Sequence, residues 1–427
     1  MNRAAPTSPP RDRRRNAIYL VIIVCLLAGL ITEQDLFFNV AYLFVGLLLL
    51  ALVWVRTGTS WLHLSRQTRP RRAQVGHYLE ERFTLRNKGL LPKLWLEIYD
   101  ESELPGHRAS HVVSSLYRSS RWSVRTLCLQ RGVFRLGPVR VVVGDPFGLF
   151  QTERKIDAVA QLIVFPATVN LPAFVLPAGA LPGGDAVRRR THLVTTNAAG
   201  VRDYHPGDSF NRIHWLSTAR RDRLMVKEFE LDPLADVWIM LDAERRVQAG
   251  RFSPEEYSGH EMPLGAQASL QLPPTTEEYG ATIAASLSRH FLRRDRAVGF
   301  GAHGQRHQVI QVDRGQRQLV KILEALAVLR ARGTMTLEQL LALEGNQLMR
   351  GTSLIVVTPS VREGWVEVIV RLARRGVHVM GVVVDAHSFG GQTGASRITA
   401  LLAASGIPWR IVRRGEDLAL ALSQARL

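Results

Sequence analysis

The chain reads as a multi-domain protein: an N-terminal transmembrane helical hairpin, a β-sandwich-like domain, then a doubly wound α/β domain. Three observations predict that order. Two apolar runs, 17–31 and 36–55, lie near the N-terminus. Short alternating segments punctuated by Gly and Pro follow over 73–168. Beyond residue 224, continuous apolar segments alternate with amphipathic ones. The divisions implied are a basic segment 1–16, the hairpin 17–56, the β domain 73–168, a linker 169–196 and the α/β domain 197–427. A chain of 427 residues also exceeds what one core usually organises.

The second apolar run has the length of a bilayer span and the first is slightly short. Thr32-Glu33-Gln34-Asp35 between them leaves room only for a tight turn. Backbone groups in lipid must bond internally, so two paired helices are expected. Arg11, Arg13, Arg14 and Arg15 precede the first run, and Arg56, Arg66, Arg69, Arg71 and Arg72 follow the second. The turn has no positive charge, which predicts both termini and the soluble domains on the cytoplasmic side of the plasma membrane. A cleaved signal peptide would need a small-residue cleavage site, and a second apolar run comes instead.

In the β domain, 79–86, 94–99, 121–129, 133–136, 139–143 and 162–165 have strand character, with turn signals such as Asn87-Lys88-Gly89 between them. Asp145-Pro146-Phe147-Gly148-Leu149-Phe150 reads as a turn whose Phe147 and Phe150 plug the end of the sandwich. Residues 166–196, rich in Pro, Gly and Ala, read as a connection. In the last domain, strands are expected at 224–229, 235–241, 297–301, 309–312, 354–358, 377–384 and 409–412. Helices are expected at 277–294, 316–332, 365–375, 398–404 and 416–425. Continuous apolar strands interleaved with helices indicate a mostly parallel sheet covered on both faces. Ligands in such sheets sit beyond the carboxyl ends of the strands, which draws attention to Asp242, Thr358 and Asp385.

The net charge is +18, of which residues 1–72 supply ten arginines against three acids. Arginine flanking apolar spans accounts for that local excess, so no nucleic-acid partner is expected. Two cysteines, Cys25 and Cys128, exclude a disulfide framework and offer no ligand-spaced pair. The G-x-G-x-x-G match at 299–304 runs into a second strand, so no helix N-terminus is available for a pyrophosphate.

The densest polar stretch is 200–215, Gly-Val-Arg-Asp-Tyr-His-Pro-Gly-Asp-Ser-Phe-Asn-Arg-Ile-His-Trp. Its candidate binding or structural residues are Arg202, Asp203, Tyr204, Gly207, Asp208, Arg212, His214 and Trp215, continued by Ala219, Arg220, Glu228 and Glu230. Asp208 is expected to cap a helix running to Arg220, with Phe210, Ile213 and Leu216 facing the core. His205, Asp208 and His214 offer a hydrolase reading, but no serine or cysteine nucleophile stands convincingly beside them. Residues 196–230 balance six basic side chains against five acids, which favours internal ion pairs and a fixed polar brace. No catalytic residue and no cofactor are assigned.

This stretch, with Leu224-Met-Val-Lys-Glu-Phe-Glu230, the Arg131-Gly132 and Asp145-Phe150 segments and the hairpin, resembles bacterial DUF58 proteins. The resemblance implies no established enzymatic activity. It implies an α/β part similar to the von Willebrand factor A fold, a protein-interaction domain. It also implies association with MoxR-type AAA+ ATPases in assembly or chaperone work at the membrane, so the expected partners are a protein of that kind and the lipid bilayer. The A-fold metal pattern is Asp-x-Ser-x-Ser. Here only Asp242 remains, with Glu244 and Arg246 at the serine positions, so no metal is expected.

Overall fold

The structure is a computed structural model that describes residues 10–69, 71–107, 109–174, 176, 198–204, 213–229, 236–252 and 272–423. The chain divides into two compact units, Met1–Phe165 with Ser253–Gln271, and Pro166–Phe252 with Leu272–Leu427.

The first unit begins with helices α1 (Pro10–Thr32) and α2 (Asp35–Gly58). Both are long and apolar enough to span a bilayer, with 18-residue windows of mean hydropathy 2.1 within Arg13–Thr32 and 2.6 within Asp35–Gly58. They pack on each other, yet most of their apolar side chains stay uncovered, Ile31 and Leu43 among them. Strand β1 (Leu62–Arg69) follows α2 almost at once. The β domain therefore starts before the expected residue 73. Its sequence, Leu-His-Leu-Ser-Arg-Gln-Thr-Arg, is that of an edge strand with few apolar positions, so hydrophobic period does not mark it.

β1 pairs with β3 (Tyr78–Asn87), and β3 with β6 (Ser119–Leu127). A second antiparallel sheet has the order β5-β4-β8-β9, from Ser110–Leu116, Lys93–Asp100, Val139–Gly144 and Gln151–Ile156. Their apolar faces share one core, in which Phe83 and Leu85 meet Leu96, Ile98, Val141 and Val143. A small sheet of β2 (Arg72–Gln74), β10 (Ala160–Phe165) and β7 (Gly132–Leu136) completes the unit. In the Asp145–Phe150 turn, the carboxylate accepts the Phe147 and Phe150 amides, at 2.9 and 2.6 Å. Leu149 rather than Phe147 is the buried plug, because the turn directs Phe147 outward, where it is 44% exposed.

Strand β3 alternates strictly, and its inward register places Glu81 between Leu79 and Phe83. A carboxylate there is tolerable only with partners. Arg66, diagonal to it across the β1–β3 pair, supplies the charge. Its Nε lies 3.3 Å from Glu81 Oε1, its Nη2 pairs with Asp100, and its guanidinium sits 4.9 Å from the Phe83 ring centre. Thr68 donates to Glu81 at 3.2 Å, and His107 bridges Asp100 (2.8 Å) and the Thr126 hydroxyl (2.8 Å). Burial holds the His107 imidazole below its usual pKa, with Glu81 opposing and Arg66 assisting. A neutral ring donating from Nε2 to Asp100 and accepting from Thr126 accounts for both of these hydrogen bonds. Arg66 is thus a core residue, not one of the charges flanking the span.

The second unit is built on a six-stranded sheet of order β15-β14-β13-β16-β17-β18. The strands are β13 (Val237–Leu241), β14 (Val298–His303), β15 (His307–Asp313), β16 (Ser353–Thr358), β17 (His378–Val384) and β18 (Trp409–Val412). All neighbours are parallel except β14 and β15, which form a hairpin. Trp238, Met240, Leu354, Val356, Val379 and Val383 pack with α6 (Leu337–Glu344), α7 (Gly364–Arg374) and α8 (Ser396–Ala404). The opposite face meets α4 (Thr276–Arg293), which packs on α5 (Gly315–Val328). Helix α9 (Leu418–Ser423) lies against β18. Helix α6 was not foreseen; its capping box of Thr336 and Gln339 is a readable start signal.

The glycines of the 299–304 motif have a packing role. A Cβ on Gly299 would lie 2.8 Å from the Trp238 ring, and one on Gly301 2.5 Å from Met240 Sδ. They make room for large side chains on the neighbouring strand. Residues 166–174 are not free connection either, since Val169 N donates to Ser286 Oγ at 2.9 Å and Phe174 meets Phe291 edge-on at 5.9 Å.

Replacing Arg66 by Met should leave two buried carboxylates without a cation. We expect the first unit to lose about 3–5 kcal/mol in denaturant unfolding of the full chain. A loss below ~1 kcal/mol would refute the assignment of Arg66 as the charge that permits Glu81 in the core.

Candidate functional site

The polar stretch builds a two-stranded ribbon. Strand β11 (Ala198–Asp203) runs antiparallel to β12 (Met225–Phe229), with Arg202 opposite Val226, Asp203 opposite Met225 and Gly200 opposite Glu228. Between them, Ile213 bridges to Val226 and is buried, and helix α3 (Trp215–Arg221) follows. His214, not Asp208, caps that helix: its ring accepts the Ser217 amide at 3.3 Å and contacts Ser217 Oγ at 2.7 Å. Backbone bonds fix the element on the ribbon. Tyr204 N donates to Leu224 O, His214 N to Met225 O, and Met225 N to Thr218 Oγ1, at 2.9, 2.8 and 3.0 Å.

Asp203 pairs with Arg223 at 3.1 Å, both side chains more than half exposed, so the expected brace is at this point a solvent-facing ion pair. Helix α3 has no buried residue; Trp215 is 67% and Leu216 61% exposed, and Ala219, Arg220 and Arg221 are exposed too. Leu216 had been expected to face a core. The described helix begins at Trp215 and no face of it is buried, so Leu216 meets water. His205, Gly207, Asp208, Arg212 and Glu230 lie outside the described residues.

The carboxyl edge of the six-stranded sheet forms a second cluster. Strand order reverses between β13 and β16, the place where sheets of this kind open a crevice. Asp242 follows β13 and Thr358 ends β16. Thr358 Oγ1 donates to Asp242 Oδ2 at 2.6 Å, and Glu244 N to Asp242 Oδ1 at 3.0 Å. Glu244, buried, pairs with Arg362 at 2.8 Å. Asp385, after β17, accepts the Ala395 amide at 3.3 Å and pairs with Arg413 at 3.5 Å. Burial raises the Asp242 carboxyl to about 6; the Thr358 and Glu244 hydrogen bonds oppose that rise.

This donor set does not fit a divalent cation. Glu244 is neutralised by a guanidinium, both Asp242 oxygens accept protein hydrogens, and Arg246 is exposed. Arg362 went unrecognised in the sequence. The local signal was a buried acid three residues past a buried strand, which needs a cation, but nothing local says which one. Elsewhere among the described residues, Glu81, Asp100 and His107 gather metal-type donor atoms within 4.8 Å of one another. Arg66 already fills the cationic role there.

The sequence pattern of the family described as "Protein of unknown function DUF58" matches residues 200–388, from the ribbon to just past β17. A Bacillus subtilis (strain 168) protein described as "Uncharacterized protein YeaD" is 25% identical over 274 residues, 62% of this chain. The chain spans about three-fifths of that relative's length, 61%. Among solved structures, the CARDB domain of a Pyrococcus furiosus protein, crystallised with di-metal ions, is 15% identical with a TM-score of 0.18, covering 24% of this chain and 86% of that one. The alkylpurine DNA glycosylase AlkC of Pseudomonas fluorescens, bound to DNA, is 15% identical with a TM-score of 0.18, covering 38% of this chain and 48% of that one. Scores that low carry no inference about fold or function.

Asp242 generates a pH dependence whose sign is opposite to that of a salt-bridged acid. Its folded pKa lies above the unfolded value, so the folded state holds the proton more tightly. Stability from this group is full below the unfolded pKa and is lost as pH rises through about 6. Asp242→Asn should remove that slope and leave the variant at least as stable as wild type at neutral pH. Calorimetric melting of both proteins across the acidic range checks it; parallel curves would refute a buried, protonatable Asp242.

Proposed function

We propose that this chain is a membrane-anchored, cytoplasm-facing interaction protein. Helices α1 and α2 cross the plasma membrane as a hairpin, and the second unit is a von Willebrand factor A-like module that docks a protein partner through α3. The partner class is a MoxR-type AAA+ ATPase, with work of an assembly or chaperone kind.

The observation that carries the reading is the pair Trp215 and Leu216, held in water on a helix that backbone bonds fix to its ribbon. Tryptophan and arginine dominate binding energy at protein interfaces, and this helix offers Trp215 beside Arg220 and Arg221. The A-like assignment is supported by a strand order with its single antiparallel strand at one edge, and by Asp242 at the carboxyl end of β13. Without a cation-competent donor set, that edge is a closed polar lock, which leaves the ribbon as the docking element. Orientation rests on Arg11, Arg13, Arg14, Arg15 and Arg56, with Arg66 removed from the tally.

One contact favours the alternative, a hydrolase of the 202–215 stretch: Ser217 Oγ lies against His214 Nδ1. That contact also has the geometry of an N-cap, which a first helical turn needs regardless of chemistry.

Affinity purification of the full chain from detergent extracts should recover an AAA+ ATPase. The Trp215→Ala/Leu216→Ala double variant should recover at least about tenfold less, at unchanged melting temperature. Full recovery by the variant would overturn α3 as the docking element. Absence of any ATPase from wild-type extracts would overturn the partner. Hydrolysis of an ester or amide substrate, lost in Ser217→Ala, would favour the alternative.

A further inference from the structure

We propose that one end of the β domain is itself a lipid-docking surface: the 88–91 loop and Trp61, with Phe147 alongside, enter the headgroup layer of the bilayer that α1 and α2 cross. The inference rests on the membrane reading above and goes beyond it, because an anchored domain can as well hang free in water.

The loop Asn87-Lys88-Gly89-Leu90-Leu91-Pro92 holds two leucines that gain nothing where they stand. Leu90 is fully exposed and Leu91 is 57% exposed. The loop is nonetheless braced by its own hydrogen bonds. The Asn87 side chain accepts the Gly89 amide at 2.9 Å and donates to Leu91 O at 2.8 Å. Two leucines braced outward by their own loop have a use only against an apolar medium.

The same loop is fastened to the end of α2. Lys88 N donates to Trp61 O at 3.0 Å, and the open Cβ position of Gly89 lies 3.1 Å from the Trp61 ring. The buried Lys93 donates to Thr57 O, and its ammonium sits 5.5 Å from the Trp61 ring centre. Trp61 takes a left-handed φ of 61°, a conformation that a bulky residue adopts only when its surroundings impose it, and its ring is 56% exposed.

Depth follows from helix geometry. The apolar run ends at Val55 and the helix at Gly58, so Trp61 and the loop stand roughly 5–10 Å beyond the hydrocarbon edge. The headgroup layer is about 5–8 Å thick on each side. Trp at that level is the usual interfacial anchor.

A second loop stands beside the matching end of α1. The Arg15 guanidinium lies 6.0 Å from the Phe150 ring centre, and the open Cβ position of Gly148 is 3.4 Å from Arg14 Nη1. That turn carries the 44%-exposed Phe147. Arg14, Arg56 and Lys88 are exposed, and the 87–92 loop has no acid, a charge pattern that complements anionic lipid.

Power-saturation spin-label measurements on the full chain, reconstituted into vesicles of three parts phosphatidylcholine to one part phosphatidylglycerol, test this. Labels are placed at Leu90→Cys and Leu91→Cys in a Cys25→Ala background. The Cys128 thiol, pushed up to about 12 by burial and then by Glu81, does not compete for label. Leu43→Cys on α2 reports the span, and Leu343→Cys on the second unit reports water. At Leu90 and Leu91 the ratio of oxygen to nickel-complex accessibility should be several-fold that at Leu343. If Leu43 lies in lipid while Leu90 and Leu91 match Leu343, the docking is overturned and the anchor stands. If Leu43 is itself in water, the anchor fails and the docking with it. Shielding of Leu90 and Leu91 from both reagents means a protein surface covers the loop, which also overturns the proposal.

Discussion

The hydrogen bond from Thr358 to Asp242 is the constraint on which the second unit turns. It ties the ends of β13 and β16, the two strands between which the sheet's order reverses, at 2.6 Å and in a dry environment. A crevice at that point is where α/β sheets usually receive a ligand. Here that point holds paired polar groups. Glu244 bonds Asp242 through its amide and Arg362 through its carboxylate, and the Asp385–Arg413 pair lies at the end of β17. At this edge Asp242, Glu244 and Asp385 each have a protein partner.

The first unit solves the same difficulty with different residues. An acid falls on the inward face of a strand, and an arginine from the neighbouring strand meets it. Glu81 with Arg66 and Glu244 with Arg362 are alike in one respect: each acid is announced by its place in an apolar pattern, and each arginine comes from a separate segment. Such pairs do little for stability compared with apolar replacements, but breaking one leaves a buried charge. They also change how the basic composition should be read. Arg66 belongs to the core, so part of the positive surplus beside the apolar helices is structural.

Beside these inward polar clusters, two sets of large apolar side chains are exposed among the described residues. Trp215 and Leu216 on the ribbon helix, and Trp61, Leu90 and Leu91 at the end of α2, stand in water on elements braced by backbone and side-chain hydrogen bonds. Side chains that a rigid frame holds exposed are suited to contact, whereas those on loose loops would fold back.

Much was legible in the sequence. The two apolar helices, the six strands of the main sheet and the core positions Ile283, Leu287 and Phe291 of α4 follow from hydrophobic period alone, because burial of one face imposes it. The polar stretch at 200–215 was equally visible as unusual. Its arrangement was not: which residue caps α3, which way Leu216 points, and whether Asp203 pairs inside or outside depend on how the ribbon and α3 pack. Strand β1 was hidden because its burial alternates over polar residues. Hydrophobic period specified the main strands and helices and which of their positions must be dry. Only the tertiary structure decided which charge meets which, since the partners of Glu81, Asp242 and Glu244 come from other strands and loops, and no local period encodes a contact across a sheet.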